Sequence, residues 1–97
     1  MLKMVMISYN EAVDTEVMEV LSACAVKNYT KVVGTFGKGS ASGTHLGTDV
    51  WPGLNNILYV ACEELEAKKI LTCVRQLRKK IGAEGVKAFL MPLEELT

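Results

Sequence analysis

One segment of this chain, TFGKGSASGTHLGTDVWPG at positions 35–53, constrains its fold more than any other. It holds five of the eight glycines, the only histidine and the only tryptophan, and it separates two runs that are typical of β-strands. Loops longer than about 12–15 residues without secondary structure are uncommon in compact domains and are usually functional or disordered. We therefore interpret residues 37–55 as a long flexible loop that serves recognition.

The size and charge of the chain limit the classes of protein to which it can belong. Its 97 residues predict a single domain. Eleven basic residues balance eleven acidic ones, so no net positive charge favours nucleic acid as a partner. No apolar run reaches the ~20 residues of a membrane span, and the opening MLKMVMISY is too short for a signal peptide. We expect a cytoplasmic protein that neither binds nucleic acid nor inserts into a membrane.

The three cysteines, Cys24, Cys62 and Cys73, lie far apart in the sequence and form no C-x-x-C motif. An odd, unclustered set of this kind is typical of small buried hydrophobic residues in a reducing cytoplasm. That is the prediction for all three. A metal or redox site built from them would need convergence in the tertiary structure.

Hydrophobic periodicity divides the rest of the chain into strands and helices. Asp14 is placed to cap the first helix, and Gly82 suits the left-handed position after the second. Pro92 ends the last strand. The predicted strands cover residues 2–9, 29–36, 56–62 and 86–91, and the predicted helices cover residues 14–26 and 63–81. This order is β-α-β-β-α-β, the ferredoxin-like α+β sandwich with an antiparallel sheet and both helices on one face.

Both faces of the predicted sheet are apolar, although a face that meets water should alternate to polar residues. Soluble monomers rarely expose an apolar patch of more than a few hundred Å². The sequence therefore predicts a homo-oligomer that packs its sheets together. In strand order the alternating sets are Val5, Ile7 and Tyr9 against Met4 and Met6; Ile57, Tyr59 and Ala61 against Leu58, Val60 and Cys62; and Val86, Ala88 and Leu90 against Phe89 and Met91.

The single imidazole, His45, lies inside the long loop. A Ser-His-Asp set can be assembled from its neighbours, but catalytic geometry needs rigid support that one loop does not supply. His45 is a candidate metal ligand or pH-sensitive contact, or a polar loop residue without a special role. The neighbouring polar residues are Ser40, Ser42, Thr44, Thr48 and Asp49.

Two turns combine glycine with lysine. Gly37, Lys38 and Gly39 could wrap an anion with backbone N–H groups and an ammonium, or form a flexible hinge. Gly85 and Lys87 precede and enter the last strand, where they could close on a bound anion or form an ordinary turn.

Aromatic and basic residues offer a second kind of contact. Trp51 could dock the base of the loop or anchor a partner protein, since tryptophan is enriched at binding hot spots. The basic run at positions 75–80 is most often a solvated helix end.

Two motifs of this sequence resemble the PII-type signal-transduction superfamily. TFGKG at 35–39 with GTH at 43–45 is similar to the family's loop-entry pattern G-F-G followed by G-H, and FLMPLEE at 89–95 is similar to its last strand and P-V-E ending. The predicted element order matches over the whole chain. The turn at 81–87 is shorter than the family's T-G-x-x-G-D-G-K.

The resemblance implies a homotrimeric, non-enzymatic regulator of the nitrogen-regulatory type. An effector, commonly ATP, ADP or another adenine nucleotide, would bind between subunits at Gly37, Lys38, Gly39, Gly85 and Lys87. The loop, with Ser40, Thr44, His45 and Trp51, would dock onto a membrane transporter or an enzyme.

Two other functions are compatible with the sequence. One is a divalent-metal-binding or metal-tolerance protein of the related ferredoxin-like trimer type, with His45 as ligand. The other is an enzyme or a ligand-binding barrel formed by dimeric ferredoxin-like subunits.

Overall fold

A computed structural model of the chain describes residues 1–37, 53–82 and 85–97. The strands are β1 (Leu2–Asn10), β2 (Thr30–Thr35), β3 (Asn55–Glu63) and β4 (Val86–Pro92), and the helices are α1 (Asp14–Ala23) and α2 (Glu64–Ile81). A single 3-10 turn, Glu11–Val13, precedes α1. The predicted β-α-β-β-α-β order is confirmed. Most of the predicted long loop lies outside the described residues.

The four strands form one antiparallel sheet in the order β2-β3-β1-β4. The central strand β1 pairs with β3 along its whole length, from Leu2 opposite Glu63 to Asn10 opposite Asn55. On its other side it pairs with β4. β2 pairs with β3 only as far as Tyr59, so the last four residues of β3 extend beyond β2.

The core lies between one face of the sheet and the two helices. Val5, Ile7 and Leu58 have 0% exposure, and their alternation along the strands places them on one face. The helices contribute Val17, Leu21, Ala67, Ile70, Val74 and Leu77 to the same cluster. The opposite face carries no helix among the described elements, which leaves Phe89 44% and Met91 36% exposed.

α1 ends three residues before the predicted boundary. Val26 donates to the Leu21 carbonyl and Ala25 to the Ser22 carbonyl, both at 3.0 Å, which is the hydrogen-bond pattern of a Schellman motif. The motif needs a left-handed residue, and here Ala25 supplies it with φ +64°. A side chain in that region costs about 1–2 kcal/mol. The apolar pattern continues to Val26, so periodicity alone placed the end of the helix too late.

α2 ends as predicted, because Gly82 follows it with a positive φ of 103°. Its ψ of 144° lies outside the left-handed helical region that was expected there. No helix in the described parts of the chain is long and apolar enough to cross a membrane.

The cysteine prediction is wrong for two of the three residues. Cys24 and Cys73 are partly exposed and form a disulfide, with Cα atoms 6.8 Å apart, that ties the C-terminal end of α1 to α2. Cys62 is free and buried, as expected. The pair is separated by 49 positions, and only the packing of the two helices brings it together.

Candidate functional site

The base of the long loop and the turn before β4 meet at the same end of the sheet. Asn10, the last residue of β1, lies opposite Asn55 of β3, and Thr35 at the end of β2 lies opposite the same Asn55. Tyr9 lies opposite Val86, the first residue of β4. Two segments about fifty positions apart in the sequence are thereby brought to one end of the sheet.

Backbone hydrogen bonds hold these segments against the end of β1. The Asn10 amide donates to the Gly85 carbonyl at 3.2 Å, and the Glu11 amide donates to the Leu54 carbonyl at 2.9 Å. The Gly85 amide closes its own turn by donating to the Gly82 carbonyl at 3.3 Å. Both segments are therefore positioned by main-chain atoms, which substitutions do not remove.

Gly37 lies close to Asn55 where the loop leaves β2. A Cβ atom on Gly37 would lie 2.5 Å from the Asn55 side-chain nitrogen, so a larger residue would force that side chain to move. The Thr35 hydroxyl donates to the Asn55 carbonyl at 2.8 Å and fixes the same corner. Gly53 has φ +92° at the point where the chain returns. The two ends of the loop are thus tightly fixed, whatever path the residues between them take.

Lys87 is an exposed residue of β4, opposite Ser8 of β1. It alternates with the buried Val86, so it lies on the open face of the sheet, next to the Gly85 turn. The structure thus brings Gly37, Gly85 and Lys87 to the same end of the sheet, although β2 and β4 lie at its two opposite edges. The remaining predicted residues, Lys38, Gly39, Ser40, Thr44, His45 and Trp51, lie outside the described residues.

A polar cluster on the covered face was missed by the sequence analysis. The Asp14 carboxylate accepts a hydrogen bond from the Tyr9 hydroxyl at 2.6 Å and one from the Asn56 amide at 3.3 Å. The Lys31 ammonium lies 2.7 Å from the same oxygen. We call these four residues the Asp14 cluster. It joins β1, α1, β2 and β3 beneath the base of the loop.

Burial and charge in the Asp14 cluster shift two pKa values in opposite directions. The pKa of Asp14 is lowered, chiefly by the hydrogen bond from Lys31 and then by that from Tyr9. The pKa of Tyr9 is raised well above its usual value, first by burial and then by its hydrogen bond to Asp14. The cluster therefore holds a carboxylate and a neutral phenol over the ordinary pH range.

The sequence had assigned Asp14 a different role, that of helix cap. The N-cap of α1 is Val13, which makes no side-chain capping bond. Instead, Asn10 caps the preceding 3-10 turn by accepting from the Ala12 amide at 2.9 Å. Asp14, Lys31 and Asn56 are polar residues that could pair with one another, but the sequence does not show that they are neighbours. The register of the β-strands brings them together.

No group of three or more His, Cys, Asp or Glu residues is arranged to hold a metal ion in the described parts of the chain. His45 lies outside those parts.

No protein-family model matches this sequence, and no curated protein sequence is significantly similar to it. Solved structures do match. A protein of Thermus thermophilus described as PII-like is 22% identical, with a TM-score of 0.63 over 92% of this chain and 82% of that one.

CPII, a nitrogen regulatory PII-like protein from Thiomonas intermedia, matches in several states. The structure bound to ADP, AMP and acetate is 22% identical with a TM-score of 0.68, covering 93% of this chain and 83% of that one. The structure bound to ADP, AMP and bicarbonate also has 22% identity and a TM-score of 0.68, covering 93% and 89%. At this identity the likeness establishes the fold. The resemblance inferred from the loop-entry and last-strand motifs is confirmed at that level: the chain has the ferredoxin-like fold of PII-like signalling proteins.

Proposed function

We propose that this chain, as one domain over residues 1–97, is a cytoplasmic, non-enzymatic PII-like regulator that binds an adenine nucleotide between the subunits of a homotrimer. The observation that carries the proposal is the meeting of the loop base and the Gly85 turn at one end of the sheet. A protein of the same fold, CPII, has been solved with ADP and AMP bound.

The nucleotide site is proposed at Gly37, Lys38, Gly39, Gly85 and Lys87. Glycines permit a phosphate to approach the main chain, and successive amides form an anion-binding concavity. Lys87 adds an ammonium on the open face of the sheet. We expect such a site to be incomplete in one subunit. Its described residues lie at one end of the sheet, where a second subunit would complete the wall around the nucleotide.

The trimer is proposed from the open face of the sheet. Its side chains include Met4, Met6, Ile57 and Tyr59, which are only half-buried in the single chain. Packing such faces together removes apolar area from water at about 25 cal/mol per Å². Helices would then lie on the outside of the assembly and the loops at one end of it.

The loop is proposed as the output of the regulator. Ser40, Thr44, His45 and Trp51 would contact a membrane transporter or an enzyme, and the nucleotide bound at the loop base would select the loop conformation. Control of a nitrogen-linked target is the form of regulation that the resemblance favours.

The first experiment is calorimetric titration of the purified chain with ADP, AMP and ATP, each with and without Mg²⁺. We expect binding by at least one nucleotide, and a loss of about ten- to a hundredfold in affinity for Lys87→Ala, because one charge-assisted phosphate contact is worth about 1.5–3 kcal/mol. Lys68→Ala is the matched control. Lys68 is 65% exposed near the start of α2, whereas the proposed site lies beyond the C-terminal end of that helix. Absence of binding for every nucleotide would contradict the proposed ligand.

The assembly is tested separately by light scattering at micromolar concentration. We expect a trimer for the wild type and dissociation for Met6→Lys, which places a charge in the proposed interface. Thr72→Lys, on the exposed side of α2, should stay trimeric. A clean wild-type monomer would contradict the proposed cleft between subunits.

The alternative metal-tolerance function has its own test. It would be favoured if the chain bound divalent metals but no nucleotide, and if His45→Ala abolished the metal binding.

A further inference from the structure

We propose that the Cys24–Cys73 disulfide is a thiol-exchange site, and that its reduction releases the end of α1 and the connection that leads from α1 to β2. This is a redox device in the helical layer. It does not depend on nucleotide binding and goes beyond the regulator proposed above.

The disulfide is open to a reductant. Both cysteines are partly exposed, and both line a surface groove of about 460 Å³ between the helices. The other groove residues come from the exposed side of α2: Leu65, Lys68, Lys69, Thr72 and Gln76. Because both cysteines line this groove, a reductant can approach the disulfide from solvent.

The charge in the groove favours exchange. Lys69 lies one helical turn before Cys73 on α2 and lines the groove with both sulfur-bearing residues. A neighbouring ammonium stabilises a thiolate relative to a thiol. Release of a cysteine thiolate from the disulfide is therefore easier here than in an apolar surrounding.

The chain that the disulfide restrains has room to move. Residues 24–28, which follow α1, form one wall of a second cavity of about 440 Å³. Its opposite wall includes Val60 and Cys62 of β3 and Ile70 of α2. In this region β3 extends beyond its last partner in β2, so no strand of the described chain fills the space.

The restrained backbone is also strained. Cys24 is the C-cap of α1, and the next residue, Ala25, holds the left-handed conformation with φ +64° that normally selects glycine. The disulfide at the adjacent residue opposes relaxation of this turn. Once the bond is broken, the turn is held without a covalent link, by the two Schellman hydrogen bonds of Ala25 and Val26 and by the packing of Val26 against the core.

The exchange consumes an external dithiol. A thiolate of the dithiol attacks one sulfur of the pair, forms a mixed disulfide and displaces the other cysteine as a thiolate, which takes a proton. The second thiol of the reductant then attacks the mixed disulfide. The reductant leaves as a disulfide, and the chain holds two thiols. In the cytoplasm proposed above, disulfides of this type are usually transient or redox-sensing.

The test compares oxidised and reduced protein without denaturant or nucleotide. Dithiothreitol should reduce the native chain, so that alkylation and mass analysis find modified Cys24 and Cys73 while buried Cys62 stays unmodified. Hydrogen exchange at the Ala25 and Val26 amides should then lose about tenfold protection, since local opening of the turn becomes easier, and reoxidation should restore it.

Two variants serve as controls. Cys62→Ser keeps the pair and should behave like the wild type, whereas Cys73→Ser should show the low protection with or without dithiothreitol. Resistance of the disulfide to reduction until the protein unfolds would overturn the proposal. So would unchanged protection in the reduced chain, or two thiols that glutathione disulfide fails to oxidise. None of these outcomes bears on nucleotide binding, so either proposal can fail while the other holds.

Discussion

The two faces of the sheet are almost equally apolar in sequence, but the helices in the described part of the chain cover only one of them. On the covered face Val5, Ile7 and Leu58 have 0% exposure, whereas on the open face Phe89 and Met91 remain 44% and 36% exposed. The two helices form a single layer, so they bury one face and leave the other half-exposed. The comparison teaches that the covered face stabilises the fold of one chain, whereas the open face is the surface that we propose for association.

Adjacent residues of β3 provide the strongest way to break this comparison. Leu58→Ala removes a fully buried side chain and should lower the free energy of unfolding by about 2–5 kcal/mol at any protein concentration. Ile57→Ala, one position away on the open face, should cost less in dilute solution and more as concentration rises, because its burial depends on assembly. Urea unfolding at several concentrations measures both. If both variants lost the same free energy of unfolding at every protein concentration, burial on the open face would not depend on assembly.

The Asp14 cluster is the polar exception on the covered side. Asp14→Asn keeps the shape but removes the charge that accepts from Tyr9 and pairs with Lys31, which should cost about 1–2 kcal/mol, given the partial exposure of the pair. Glu16→Gln in the same first turn of α1 controls for the helix dipole. Because the folded pKa of Asp14 is lowered, the wild-type advantage should exist above the unfolded value near 4. It should disappear as pH falls through the folded value. A loss as large for Glu16→Gln would remove the special role of the cluster.

Tyr9 sharpens the comparison at alkaline pH. Burial and Asp14 raise its folded pKa, so its contribution to stability is complete below the unfolded pKa of about 10 and falls as pH rises towards the folded value, by up to about 1.4 kcal/mol per pH unit. Tyr9→Phe lacks this titration. The difference in unfolding free energy between the two proteins, followed from pH 9 upward by denaturant titration, should therefore shrink. A constant difference would place the phenol in a solvated site.

The smallest effect concerns the end of α1. Ala25→Gly relieves a positive φ and should raise the free energy of unfolding by about 0.5–1 kcal/mol. Ala23→Gly, at the last residue of α1, has no positive φ to relieve and should lower it instead, because glycine adds conformational freedom to the unfolded chain. Calorimetry on the oxidised proteins distinguishes them, and a destabilised Ala25→Gly variant would show that the turn is not strained.

Much of the architecture could be predicted because it depends on local patterns. β1 and β4 are short, mostly apolar runs, and Pro92 and Gly82 mark the ends of elements because of their backbone chemistry. Since successive residues of a strand point to opposite faces, the same runs predict a sheet that is apolar on both faces. At the site, the sequence marks Gly37 and Gly85 as turn residues, and the antiparallel register places them at the same end of the sheet.

Other features could not be predicted because they depend on distant parts of the chain. The Cys24–Cys73 bond depends on how α1 packs against α2, and the Asp14 cluster depends on the register of three strands. In both cases the deciding contact joins residues that carry no mutual signal in sequence.

The end of α1 is different, because a local hydrogen-bond motif between residues 21 and 26 decides it. The apolar pattern continues to Val26, although Ala25 has already reversed the backbone.

The sequence by itself determined the kind of elements, their order and the apolar character of both sheet faces, because periodicity and turn chemistry act over a few residues. The tertiary structure alone decided which face the helices cover, which cysteines pair, and which donors surround Asp14. Those outcomes follow from packing two helices onto one twisted sheet, where burial selects among partners that local preferences leave equivalent.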